Sequence, residues 1–440
     1  MKETIRIGCG AGFSGDRLEP AVILVQEGKL DYLVLECLAE RTISLAQKRK
    51  RQDPTKGYDP LLERRIESLL PDLLANNVRL ITNMGAANPL AAAEKICEIA
   101  RRMNLSVTVA AVTGDDVFDQ LTGNEQALET GKPLTDSAPL ISANAYLGTD
   151  AILPALATSA QIIITGRVAD PSLFVAPLAY EFGWSLDDVN QIGQGTVIGH
   201  LLECAGQLTG GYFADPDKKD LPDMAHLGHP FADISADGTA VFGKVAGTGG
   251  LLSVATAKEQ LLYEVMDPSR YITPDVIADF TQVHLTQTAP NQVRATGGRG
   301  QVRPDTLKVS VGYEAGYIGE GELSYAGSNA LGRAKLAGAI IQNRLQDRFP
   351  DLRIDYIGSV SVHRKTFGTY PDPYEIRLRV AGRAKTAEQA ALVGEEVEAL
   401  YTNGPAGGGG ARKYIHEVVG IVSTLIPRTK LTPQFILRHA

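Results

Sequence analysis

At 440 residues the chain is longer than one ordinary hydrophobic core organises, so two or three domains are expected. Hydrophobic residues make up 44% and charged residues 21%, the balance of a globular protein, while a formal charge of −8 and few aromatics argue against nucleic-acid binding, which needs clustered Lys and Arg. The four cysteines, Cys9, Cys37, Cys97 and Cys204, lack Cys-x-x-Cys spacing, so neither a zinc knuckle nor a disulfide framework is supported and reduced thiols are the expectation.

From the amino end, Met1-Lys2-Glu3-Thr4 leads directly into an apolar run with no room for a signal peptide, and no later run reaches the length of a membrane span, so a cytoplasmic protein is expected. Five short runs rich in β-branched residues follow: Ile5 to Cys9, Tyr32 to Leu35, Val78 to Ile81, Val107 to Val112 and Ile162 to Ile164. Helical sequence separates them, which is how parallel strands with crossover helices read. Each run stops at a Gly, Asn or acidic cluster. The stops are Gly10-Ala11-Gly12-Phe13-Ser14-Gly15-Asp16-Arg17, then Glu36, then Asn83-Met84-Gly85, then Gly114-Asp115-Asp116, then Thr165-Gly166-Arg167. Ligands of open parallel sheets sit at the carboxyl ends of the strands, so these stops predict an active-site edge.

Between the runs, Lys48-Arg49-Lys50-Arg51 reads as a solvated helix end, and the loop from Asp53 to Pro60, with two prolines, is placed to flex over the site. Leu61 to Leu74 reads as an amphipathic helix. Asn88-Pro89, an N-cap residue with proline at the first helical position, predicts a helix from about Leu90 to Met103, whose free N–H groups face the same edge. Another helix opens near Ser172. Around Asp215 to Asp237 a Pro, Gly, Asp and His-rich stretch marks the candidate domain boundary. Beyond it, Leu307 to Val311, Arg353 to Val362 and Tyr374 to Val380 read as alternating strands, with helices near Leu331 to Gln346 and from Ala387 to Tyr401, the second capped by Thr386. The fold class expected is α/β, a doubly wound, mostly parallel sheet over residues 1–225, with an α+β domain over 226–440 closing the cleft.

Several motifs carry two readings. Gly10-x-Gly12-x-x-Gly15 with Glu36 outlines a dinucleotide fingerprint, but Asp16 would set a carboxylate beside the pyrophosphate and Pro20 falls in the following helix; anion capture by the loop N–H groups, with Arg17 as charge partner, or a plain turn fits as well. Glu36 and Glu40, one helical turn apart, can repel each other and raise a pKa toward a value useful for proton transfer, or be surface acids beside Arg41. Asp115 and Asp116 can hold a divalent cation, orient a hydroxyl or cap a helix. Arg167 can grip a carboxylate in two-point fashion or form a structural ion pair with Asp170. His200, Glu203 and Cys204 share a helix face, as a catalytic set, a metal set or a satisfied core histidine. The run Gly404 to Lys413, including Gly408, Gly409 and Arg412, either wraps an anion such as a CoA phosphate or is a connector. Tyr313, Tyr317 and Tyr325, interleaved with Glu314, Glu320 and Glu322 near Gly319 and Gly321, either approach a ligand or pack a sheet. No metal-ligand cluster stands out, and no cofactor is fixed.

Taken together, Gly10 to Arg17, Glu36 to Arg41, Asn83 to Pro89, Thr165 to Asp170 and Tyr317-Ile318-Gly319-Glu320-Gly321-Glu322 resemble the acyclic terpene utilisation family, the AtuA-like proteins. The resemblance implies a role in breaking down branched or unusual carboxylic acids, as free acids or CoA esters. It also implies that longer relatives carry an extra small ferredoxin-like domain with no counterpart after Leu431, which either a separate small partner chain supplies or this branch does without. The function expected is proton transfer next to a carbonyl of a small carboxylic acid or its CoA thioester, by a lyase, hydratase or isomerase. Glu36 exchanges the proton, Arg167 holds the carboxylate, and Asn83 with the Gly12 and Gly85 amides stabilises the enolate oxygen; Gly10, Gly15, Arg17, Asp115, Asp116, Gly166 and Asp170 complete the substrate edge. A nicotinamide-dependent dehydrogenase and a non-catalytic subunit of a two-chain complex are the alternatives. No nucleic acid or membrane is expected as a partner, and a homodimer is the base-rate oligomer.

Overall fold

The computed structural model describes residues 2–136, 138–363 and 372–440. The first four apolar runs form β1 (Thr4–Ala11), β2 (Tyr32–Leu35), β3 (Arg79–Thr82) and β4 (Thr108–Thr113). A strand the pattern did not announce, β5 (Leu140–Ala145), precedes β6 (Ile162–Thr165), the fifth run. Strands β1, β2, β3, β6 and β4 lie side by side in that order, each pair parallel. Their ends are level: Ala11 pairs with Leu35, Leu35 with Thr82, Thr82 with Ile164, and Thr165 with Val112. Residues following each strand therefore emerge along one edge.

Antiparallel strands extend this core on both sides. β7 (Pro230–Ser235) pairs with β1, β8 (Ala240–Lys244) with β7, and Gln292–Thr296 and His284–Ala289 continue outward, while Gln434–His439 pairs with β4. Among the described residues the ten-stranded sheet has four parallel and five antiparallel pairings, so it is mixed rather than mostly parallel. The physical reason is that the chain leaves the crossover pattern after residue 225 and returns as hairpins, which need only short connections.

Strand alternation decides what each helix covers. Leu33 and Leu35 of β2 belong to a core built with α1 (Glu19–Glu27), α3 (Leu62–Ala75) and α4 (Pro89–Arg102), numbered after α2 (Glu40–Gln52). On the other face the Tyr32 hydroxyl donates to Glu181 at 2.6 Å, in α6 (Ser172–Phe182), which follows α5 (Thr149–Leu156) and packs beside α7 (Val189–Glu203). The start of α4 is as the sequence predicts: Asn88 Oδ1 accepts from the Ala91 amide at 3.3 Å, with Pro89 at the first helical position.

The chain divides into two compact units, Met1–Gly312 with Ile421–Ala440, and Tyr313–Gly420. The compositional break near residue 225 thus falls inside the first unit, because β7 carries the chain back onto β1. The second unit follows the order strand, helix, strand, strand, helix, strand, with sheet order Arg353–Ile357, Glu375–Ala384, Thr306–Ala326, Gly409–Pro427, a split β-α-β arrangement. Helices Ala330–Leu345 and Ala387–Asn403 cover one sheet face around Leu323, Tyr325, Leu378 and Val380. Thr386 caps the second of them, accepting from the Gln389 amide at 3.3 Å.

Candidate functional site

A cavity of about 1070 Å³ lies at the carboxyl ends of β1, β2 and β6, and the described residues that line it belong to the first unit. Gly12 and Arg17 come from the turn after β1, Glu36 and Glu40 from the segment after β2, and Arg167 and Asp170 from the turn after β6. The parallel core thus brings these residues to one place although they are far apart in sequence.

Glu36 is buried, its backbone N–H donating to the Ala11 carbonyl at 3.0 Å and so tying the ends of β1 and β2. Its Oε1 accepts from the Leu38 amide and from Asn83 Nδ2, each at 2.9 Å. Burial pushes the Glu36 carboxyl well above the usual carboxylate range, and the nearby Asp170 adds to this against the pull of the Leu38 amide, Asn83 and Arg167. Asn83 is fully buried, and its Oδ1 accepts from the Cys37 amide at 2.7 Å. Its carboxamide thus shapes the Glu36 turn, one N–H on Glu36 and its oxygen on the Cys37 amide, and Asn83 is not among the residues that line the cavity.

Arg167 is 2% exposed and is held on every side. Its backbone N–H donates to Asp115 Oδ2 at 2.9 Å, its guanidinium donates to the Leu38 carbonyl and lies 3.6 Å from Asp170 Oδ1, and its Cζ stands 4.0 Å from the centre of the Tyr146 ring. Arg167 thus pairs with Asp170, the structural reading, and it also lines the cavity. Burial raises the Asp170 carboxyl to about 7, against the pull of Arg167 and with help from Glu203 and Glu40. Burial would raise Glu40 too, but Arg167, the Tyr146 hydroxyl that donates to Glu40, and Lys308 at 3.3 Å hold it at about 2. Repulsion between Glu36 and Glu40 is therefore not what sets either value: Glu40 faces cations, and Asp170 is the acid that raises Glu36.

The glycine turn has another use than a dinucleotide. Asp16 Oδ2 accepts from the Gly12 amide at 3.0 Å, and a Cβ on Gly12 would stand 2.6 Å from the Cys204 backbone, so the N–H and the space a pyrophosphate needs are both taken. Gly10 is the extra residue of a bulge in the β1–β2 register and faces Leu35 and Ala21, and Gly15 abuts Phe13. Arg17 donates to the Ala225 carbonyl at 2.8 Å, while buried Arg65 donates to the Ser14 and Asp16 carbonyls at 3.0 and 2.7 Å. These arginines fasten the turn, and Arg17 also lines the cavity.

Other predicted residues lie outside the cavity lining. Gly85 and Gly166 are close-approach positions, where a Cβ would stand 2.4 Å from the Thr165 carbonyl oxygen and 2.5 Å from Asp115 Oδ1. Asp115 is buried, accepts also from Asn144 Nδ2 at 2.8 Å, and is raised by that burial to about 6. Asp116 accepts from Gln47 at 2.9 Å and from the Phe118 amide at 3.3 Å, the capping alternative in the form of a turn. The loop from Asp53 to Pro60 is pinned, its Pro54 and Lys56 carbonyls each accepting from Asn88 Nδ2 at 2.8 Å, and it does not reach the cavity. Gly408, Gly409 and Arg412 belong to the second unit, and the last two lie in a strand, not an anion-wrapping loop. Gly319 and Gly321 likewise serve packing, since Cβ atoms there would meet Ala390 and Val397 of the covering helix.

The set at the end of α7 divides. His200 is core, its Nδ1 2.8 Å from Glu203 Oε1 and its ring against Tyr271 and Phe280, whereas Glu203 and Cys204 reach the cavity. Burial raises both the Glu203 carboxyl and the Cys204 thiol, which argues against a thiolate nucleophile. Sequence reasoning missed Tyr146, His229 and Tyr271 as cavity residues. For Tyr146 a signal existed in the alternation Ile141, Ala143, Ala145 that precedes it. His229, buried with Nε2 3.8 Å from Asp16, follows no strand end and had none.

No group of three or more His, Cys, Asp or Glu among the described residues is arranged to hold a metal ion, and no described helix is long and apolar enough to cross a membrane. Comparison with curated proteins and with solved structures finds no match to the chain. The model of the acyclic terpene utilisation family protein AtuA matches residues 5–437, nearly the whole length, and the chain therefore belongs to that family.

Proposed function

We propose that the chain, within the acyclic terpene utilisation its family implies, is a catabolic enzyme that moves a proton next to the carbonyl of a small or branched carboxylic acid or its CoA thioester, as a lyase, hydratase or isomerase. One observation carries the reading: three carboxyl groups around Arg167 are driven apart, Glu40 down to about 2, Asp170 up to about 7 and Glu36 well above the ordinary range. Carboxyls separated by environment are how one site holds an acid and a base together at neutral pH.

Asp170, half ionised near neutrality, removes the proton next to the carbonyl. The electron pair moves onto the carbonyl oxygen, which the Arg167 charge stabilises. Glu36, carrying its proton, returns one to the carbon in an isomerase or to the departing oxygen in a lyase. Arg270 makes no hydrogen bond through its guanidinium to the described residues and lines the same cavity, where it offers a second charge to a carboxylate. The position of the cavity at the carboxyl ends of a parallel five-stranded core supports the reading, because open parallel sheets bind ligands there.

Deuterium wash-in from D2O, followed by mass spectrometry over a panel of branched acids, di- and tricarboxylates and acyl-CoAs, tests this without knowledge of the substrate. Exchange is expected on at least one compound, rising with an apparent pKa near 7, and Asp170→Asn should lower it by roughly 10²- to 10⁴-fold. Glu36→Gln, which keeps the acceptor oxygen for Leu38 and Asn83, should abolish turnover and leave the melting curve cooperative. Unchanged exchange in both variants would discard the assignment.

A further inference from the structure

Helix α7 ends close against two turns that line the cavity. A Cβ at Gly199 would stand 2.8 Å from the Cα and the carbonyl oxygen of Pro171, and one at Gly12 would stand 2.6 Å from the Cys204 backbone carbon. Glycine on one side of each contact thus lets the helix end wedge between the turn after β6 and the turn after β1. Residues four apart share a helix face, which puts Glu203 one turn beyond Gly199 on the face that meets Pro171, and Asp170 directly precedes Pro171. Both carboxyls line the cavity.

Glu203 is firmly held. Its Oε1 lies 2.8 Å from His200 Nδ1; a carboxylate only accepts, so Nδ1 carries the hydrogen and donates. His200 is itself fixed, its ring centre 5.2 Å from that of Tyr271 and 5.4 Å from that of Phe280, and its backbone carbonyl accepts from Gln260 Nε2 at 2.9 Å. Glu203 is 8% exposed, and its Oε2 has no hydrogen-bond partner among the described residues. A buried carboxylate oxygen without a donor costs stability, and glutamine, of nearly the same shape, would accept from Nδ1 without any charge. What glutamate adds here is the charge, set beside Asp170.

The groups around Asp170 are Arg167 on its own turn, Glu36 and Glu40 after β2, Tyr146 after β5, Glu203 at the end of α7, Glu264 after helix Val254–Leu262, and Tyr271. Arg167, 3.6 Å away, would by itself keep Asp170 an ionised counter-ion and a poor base. Glu40 is engaged by Tyr146 and Lys308, Glu36 holds its proton, and Glu264 is exposed, where solvent screens it. Glu203 is left as the opposing charge in the cavity wall.

We propose that Glu203, pinned by His200, is a positioning residue for Asp170: its fixed negative charge offsets Arg167 and leaves Asp170 able to take a proton from the substrate carbon. The inference rests on Asp170 being the base, and it adds the two residues that keep it in that state.

Two measurements on the full chain test this, one with turnover and one without. In deuterium exchange, Glu203→Gln should move the apparent pKa of the rate down by roughly one pH unit, while Glu203→Asp, which keeps the charge, should stay near the wild-type profile. In urea denaturation, Glu203→Gln should be at least as stable as wild type at pH 8. The gain that Asp170→Asn brings between pH 5 and pH 8 should shrink by about half or more in the Glu203→Gln background, because Asp170 then ionises more readily in the folded chain. Shrinkage without any exchange in wild type would keep the coupling and discard Asp170 as the base. An unmoved exchange profile, an Asp170→Asn gain equal in both backgrounds, or a Glu203→Gln protein that unfolds at lower urea than wild type at pH 8 would each overturn the proposal, the last by marking Glu203 as a structural partner of His200.

Discussion

Glu36 and Glu40 are one turn apart in sequence and end with opposite tendencies, which shows what residue spacing can and cannot decide. The strand-end position of Glu36 was legible, because parallel strands bring their carboxyl ends to one edge. Which polar atoms are already engaged was not legible, because that depends on neighbours distant in sequence. Asn83 illustrates this: it stands at the expected edge, yet both ends of its amide are used by Cys37 and Glu36. Replacing it therefore acts through the Glu36 turn. Asn83→Ala leaves the buried Cys37 amide without an acceptor and removes a donor that favours ionised Glu36. Urea denaturation should show a loss of about 1–3 kcal/mol. An unchanged midpoint would mean that the turn is held by other contacts.

At the scale of elements, local chemistry was the better guide wherever it was itself decisive. The Asn88-Pro89 start of α4, the Thr386 cap and the five β-branched runs are fixed by groups within a few residues, and each appears where the pattern put it. The antiparallel margins of the large sheet and strand β5 were not legible, since alternation with small residues such as Ala143 and Ala145 is a weak signal and pairing partners lie far along the chain. Glycine shows the same division. Gly319 and Gly409 both lie in strands, but a Cβ at Gly319 would fall 1.8 Å from the Ala390 carbonyl oxygen while one at Gly409 meets nothing within 4 Å. Gly319→Ala should accordingly destabilise by about 1–3 kcal/mol through overpacking. Gly409→Ala should be neutral or stabilise by up to about 1 kcal/mol by restricting the unfolded chain. Thermal melts of the pair check this, and equal effects would show that helix Ala387–Asn403 yields to accommodate the methyl group.

The whole molecule adds what neither scale contains, a pH response set by where the topology gathers its acids. Asp170 at about 7 holds its proton more tightly in the folded chain than in the unfolded one, whose carboxylates titrate near ~4. Between those values the native state binds more protons, so this group lowers stability as pH rises from about 4 to about 7 and changes nothing further above. Glu40 at about 2 works in the other direction: its stabilisation is full above about 4 and is lost as pH falls toward 2. Urea midpoints for wild type and Asp170→Asn, measured from pH 4 to 8, should therefore diverge in favour of the variant as pH rises and run parallel above about 7. For Glu40→Gln the wild-type advantage should instead shrink as pH is lowered below about 4. Loss of the Arg167 contact in Asp170→Asn shifts its whole curve by a constant and leaves the slope difference intact, so the slope reports the buried proton and the offset reports the ion pair. A constant gap across the range would mean that Asp170 titrates like a surface carboxylate and cannot serve as a base poised near neutrality.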